Sequence, residues 1–151
     1  MRNRVGRVIA VAAALMIVAS GATAGASGQA ARGTKVKVTL SEWLIKATPE
    51  RVRPGKVTFV VKNAGADTHE FVVVKGSDPA DFATDEHGKI LEKDIAKADR
   101  VGEVADILAG KTKKVNFKLK FGEYILFCNI YDEDEGEAHF DEGMVTTFTV
   151  G

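Results

Sequence analysis

From residue 34 onward apolar and polar residues alternate, and the alternation breaks repeatedly at glycine, proline and asparagine. Val36, Val38 and Leu40 are apolar, with Lys35, Lys37 and Thr39 between them. A period of two sends alternate side chains to opposite faces of a pleated strand, and no helix satisfies it. A turn at Arg53-Pro54-Gly55-Lys56 precedes Val57 to Lys62, and Asn63-Ala64-Gly65 closes that strand. Phe71 to Val74 is an unbroken apolar run, which suits a strand covered on both faces. Alternation returns at Val115, Phe117 and Leu119; Phe121-Gly122 then turns into Tyr124 to Ile130, and Met144 to Val150 makes the last strand. About seven short strands joined by such turns predict an all-β sandwich or barrel. Residues 76–103 break the pattern. They are polar and charged, and Pro79 to Phe82 and Lys89 to Ala98 suit short helical turns. This stretch is expected to be an irregular or partly helical excursion between two parts of the sheet.

The first residues follow a different logic. Arg2, Arg4 and Arg7 form a basic head, Val8 to Ser20 are almost wholly apolar, and Ala22-Thr23-Ala24 and Ala24-Gly25-Ala26 are small. That order predicts a secretory signal over 1–26, with an uncleaved membrane anchor as the alternative. Residues 27–33 read as a linker and 34–151 as one domain, placed in the periplasm or outside the cell. Removing residues 1–26 takes away three arginines and no acid, leaving 18 basic against 21 acidic side chains, a net charge of −3. No basic stripe is visible along the chain, so no nucleic-acid partner is expected.

Cysteine usage is the chemical clue. Exported cysteines normally pair, yet Cys128 stands alone. Beyond the leader the chain holds one Met and three His, and Cys128, His139 and Met144 fall within the last 24 residues with the spacing C-x10-H-x4-M. His69 opens the Phe71 run. Taken singly, each has an ordinary reading: a buried small hydrophobe, a core-filling methionine, a solvated histidine. Together, one thiolate, two imidazoles and a thioether suit copper in both oxidation states, with the thiol deprotonated by the metal. Zinc rarely recruits methionine. His87, within Asp85-Glu86-His87-Gly88, is read as a surface residue.

Cys128-Asn129-Ile130, His139-Phe140-Asp141-Glu142-Gly143-Met144 and the closing strand resemble the C-terminal loop of the blue copper proteins, the cupredoxins. Pro54-Gly55-Lys56-Val57-Thr58-Phe59, Asn63-Ala64-Gly65 and Thr68-His69-Glu70-Phe71 resemble the segment carrying that family's first histidine, and Ala109-Gly110-Lys111-Thr112 with Gly122-Glu123-Tyr124 resembles the hairpin before its cysteine. The resemblance covers 34–151 apart from 76–103. It implies a Greek-key β-sandwich with one copper ion, Cu(I) or Cu(II), held by His69, Cys128, His139 and Met144.

Two departures stand out. Ten residues separate Cys128 from His139, more than in plastocyanin-like carriers, which leaves room for a more exposed site or altered copper geometry. Glu70 stands where many members carry Asn or Ser to steady the loop and the cysteine sulfur; its carboxylate either points away from the site or lowers the reduction potential by favouring the more positive copper. Asp132 to Glu137 form an acidic run, read first as a solvated loop. Its functional reading is a negative rim that steers a basic redox partner such as a cytochrome or oxidase; a calcium site ranks third. The expected function is one-electron transfer by a monomer, not catalysis, because three histidines leave none for a second copper centre. The alternative is an extracytoplasmic copper chaperone or reservoir.

Overall fold

The computed structural model describes residues 33–151, so the expected export signal over 1–26 and nearly all of the expected linker lie outside the described residues. Alternation in β1 (Thr34–Ser41) buries Val36, Val38 and Leu40 and exposes the lysines between them. A tight tip at Glu42 and Trp43 leads into β2 (Leu44–Thr48), and β3 (Arg51–Val52) crosses to a second sheet. Then come β4 (Gly55–Asn63), β5 (His69–Lys75), β6 (Arg100–Ile107), β7 (Thr112–Leu119), β8 (Gly122–Phe127), the short β9 (Tyr131–Asp132) and β10 (Glu137–Ala138), and β11 (Val145–Val150).

One sheet has the order β2-β1-β4-β7 and the other β3-β11-β8-β5-β6, while β9 and β10 form a separate hairpin. Two neighbours run parallel, β1 with β4 and β3 with β11; the remaining pairs are antiparallel. The result is the expected all-β Greek-key sandwich. Its inner faces share one core centred on Phe59, whose ring lies 5.3 Å from Phe71 and 5.5 Å from Phe148. Aromatic pairs at this spacing add to the gain from burial alone.

The apolar run of β5 is covered on both faces, as its composition requires. Phe71 and Val73 enter the main core, while Val72 and Val74 join Ile125, Phe127, Ile90 and Ile95 in a second cluster beneath the excursion. The excursion holds two 3₁₀ turns, Pro79–Asp81 and Glu92–Asp94. Its expected span is too long at the C-terminal end, because β6 begins at Arg100. β6 is an edge strand with only Ile107 buried and irregular register against β5, so its sequence shows no alternation. Strand alternation also gathers lysines that are scattered along the sequence on the outer face of the first sheet.

Candidate metal centre

The four sequence-predicted residues occupy the same end of the sandwich. His69 is the first residue of β5, Cys128 follows β8 directly, His139 follows β10, and Met144 precedes β11. The backbone ties the last three together: Cys128 N–H donates to the Met144 carbonyl at 3.0 Å, Met144 N–H to the His139 carbonyl at 2.9 Å, and His139 N–H to the Ile130 carbonyl at 2.9 Å. The turn from His139 to Met144 needs Gly143 at φ +107, a conformation that L side chains rarely adopt.

His69 Nδ1 lies 3.1 Å from His139 Nδ1, and Cys128 Sγ lies 3.4 Å from His139 Nδ1. These three ligand atoms sit within 4.8 Å of one another. Bonds of roughly 2.0–2.3 Å at angles of 100–120° separate ligand atoms by roughly 3.1–3.7 Å, so the donor set fits one metal ion. His69, Cys128, His139 and Met144 are all buried. The long Cys128–His139 segment therefore does not expose the site. It folds into the β9–β10 hairpin, in which Asp132 accepts from the backbone N–H groups of Asp134 and Glu135, and His139 stays beneath it at 1 % exposure.

Burial governs the ionisation of the ligands. It pushes the Cys128 thiol up to about 11, against the pull of the Glu70 and Ile130 backbone N–H groups. It lowers both imidazoles; Glu42 opposes the shift at His69, and the neighbouring His69 adds to it at His139. Neutral imidazoles keep the lone pairs that a metal needs. Glu70 N–H donates to Cys128 Sγ at 3.3 Å, and the Glu70 carboxylate accepts from Asn129 N–H at 2.9 Å. Glu70 thus clamps the cysteine loop in the manner expected of Asn or Ser at this position, while burial raises its own pKa. Asn129 in turn holds the excursion to the site, donating to the Ile90 carbonyl at 3.0 Å and accepting from Ile90 N–H at 2.7 Å.

Sequence reasoning missed Glu42, Trp43 and Asn63. One Glu42 oxygen lies 3.1 Å from His69 Nε2 and accepts from the Ala66 and Asp67 backbone N–H groups, each at 3.0 Å. Burial raises the Glu42 pKa, but the Asp67 amide, its own amide and His69 outweigh it and hold the carboxyl below its usual range. Carboxylates commonly orient ligating histidines in this way. Trp43 sets its ring edge-on to His139 at 5.1 Å. Asn63, fully buried, donates to the Asp67 and Ile107 carbonyls at 2.6 and 2.7 Å and accepts from Gly65 N–H at 2.9 Å, fixing the loop before His69. His87 lies outside the cluster with a half-exposed side chain beside Glu86, as expected. The acidic side chains of the hairpin are solvated, and Asp67 approaches them closely enough to raise the Glu135 pKa.

The structure resembles an auracyanin from Roseiflexus castenholzii, with a TM-score of 0.57 at 19% identity over 79% of this chain and 98% of that one. It also resembles auracyanin A of Chloroflexus aurantiacus, a "blue" copper protein, with a TM-score of 0.53 at 18% identity over 79% and 99%. This chain has the cupredoxin fold. Rusticyanin from Thiobacillus ferrooxidans shares that fold with a TM-score of 0.52 at 17% identity, each chain covered to 79%. No family model and no curated protein matches the sequence. Within the cupredoxin fold, the His69, Cys128 and His139 donors converge at the end where the strand connections β4–β5, β8–β9 and β10–β11 meet.

Proposed function

We propose that this chain is an exported copper protein that carries single electrons between redox partners and has no catalytic reaction of its own. The observation that carries the reading is the convergence of His69 Nδ1, His139 Nδ1 and Cys128 Sγ in a buried pocket. Met144, buried at the end of the same loop, is the proposed weak fourth ligand. When bound, copper supplies a one-electron couple to a site of this ligand type.

The protein's own residues limit rearrangement. Glu42 holds His69 by Nε2, Glu70 N–H donates to the sulfur, and Trp43 packs on His139. Ligands fixed this firmly change little between oxidation states. The acidic hairpin from Asp132 to Glu137, with Asp67 beside it, favours approach of a basic partner, and such steering weakens with salt. Residues 1–26 supply the export signal in this reading. The signature of the carrier is slow loss of copper to a chelator combined with fast electron exchange with a basic cytochrome, slowed by salt. Rapid transfer of the metal itself to a chelator or an apo-acceptor would instead assign the chain to copper delivery.

A further inference from the structure

The outer face of the first sheet is built almost entirely from lysine and small polar residues. Side chains opposite the core include Lys35 and Lys37 from β1, Lys46 from β2, Lys56 and Lys62 from β4, and Lys114 and Lys118 from β7. The strand registers place them on one surface: Lys37 aligns with Val60, which aligns with Lys114, and Lys56 sits directly opposite Lys118. Thr39, Thr48, Thr58, Thr112, Asn116 and Ser41 fill most of the intervening positions, and no Asp or Glu lies on the face. Among the described residues the only ion pairs involve histidines, so none of these lysines is neutralised within the protein. Like charges paired directly across strands are destabilising. A domain whose described part carries more acid than base nevertheless concentrates them here.

We propose that this face docks on an anionic phospholipid bilayer. Three features favour a bilayer over other polyanions. The face is a sheet surface, bordered along its β7 edge by a cavity that Asn116 and Lys118 help to line, and an array of headgroups can meet lysines from all four strands. It is all lysine, with no arginine fork for paired recognition of a phosphate, and it has no aromatic residue to stack on a base or anchor a protein interface. Its largest apolar side chain, Leu44, is 53 % exposed and points outward beside Ser41, ready to enter the headgroup region.

The orientation follows from the rest of the charge. Asp67, Asp132 and Glu135 cluster at the metal-ligand end, outside the lysine face, and are repelled by the same lipids. Docking therefore lays the sandwich on its side, with the metal end at the rim of the contact and open to a partner in or near the membrane. This inference does not depend on copper.

The test is cosedimentation of the full chain with vesicles of phosphatidylcholine containing 30% phosphatidylglycerol, beside pure phosphatidylcholine, at low and high salt. Each lysine near such a surface strengthens partitioning about fivefold. The double variant K37Q/K114Q is expected to lose binding to the anionic vesicles about 25-fold. K93Q/K97Q removes the same charge from the exposed excursion and is expected to change binding less than twofold. Both pairs are exposed, and a far-ultraviolet circular dichroism spectrum checks that each variant folds. The N-terminal segment, with its apolar run and basic head, contributes equally in all variants, so the comparison between variants isolates the lysine face. Equal binding to both vesicle types, or equal loss in both variants, overturns the proposal. So does binding that depends on Lys37 and Lys114 for DNA or heparin but not for vesicles, which would assign the face to a soluble polyanion.

Discussion

Replacing Glu42 by alanine should loosen the candidate site without touching a proposed ligand. The carboxylate gathers three polar contacts at one oxygen, at 3.0, 3.0 and 3.1 Å, from the Ala66 and Asp67 amides and His69. A hydrogen bond to a charged group contributes about 1.5–3 kcal/mol when well shielded. The Glu42 side chain is 27 % exposed, and water re-solvates the freed amides, so the three together are worth about 2–3 kcal/mol. Urea denaturation of the metal-free protein should show that loss for Glu42→Ala. Removing a group that orients a metal-binding histidine typically costs 10–100-fold in affinity, and competition with a Cu(I) chelator should return a loss in that range. Glu42→Gln keeps an oxygen for the two amides and should recover most of the stability but not the charge on His69. Its copper should therefore be easier to reduce than wild type. Stability and affinity both unchanged in Glu42→Ala would refute the assignment of His69 orientation to this carboxylate.

Three further outcomes are expected. Asn63→Ala removes three hydrogen bonds and strands the buried Ile107 carbonyl, so it should cost about 3 kcal/mol in urea denaturation. Gly65→Ala would drive a Cβ into the Glu42 carboxylate and should reproduce the affinity loss of Glu42→Ala, as read by the same chelator competition. The Cys128 thiol, held near 11 by burial, is protonated at neutral pH, whereas both imidazoles are already neutral. Metal binding at pH 7.5 should then release one proton, and affinity should rise about tenfold per pH unit across 6.5–8.5. Calorimetry in buffers of different ionisation enthalpy measures that proton directly, and a value near zero contradicts it.

The sandwich was legible where burial is one-sided, as in β1, β4 and β7, because alternation then maps directly onto the sequence. It was illegible in β6, an edge strand with one buried residue, and in the five-residue β2. The Cys128, His139 and Met144 cluster was legible because rare residue types lie close together in the chain. Glu42 was not: it reaches His69 only because β1 runs parallel to β4, which sets the β1–β2 tip against the β4–β5 loop. Nothing in a local reading of Ser41-Glu42-Trp43 signals that pairing. The lysine face was hidden for a related reason. Strand alternation scatters its members singly along the sequence, and only the sheet brings them together.

The most direct measurement of the central claim is the visible absorption and EPR spectrum of the copper(II)-loaded protein beside Cys128→Ala. An intense thiolate-to-copper band, absent from the variant and bleached reversibly by reductant, is the expected result. A colourless protein, or weak copper absorption that survives the loss of Cys128, would contradict it.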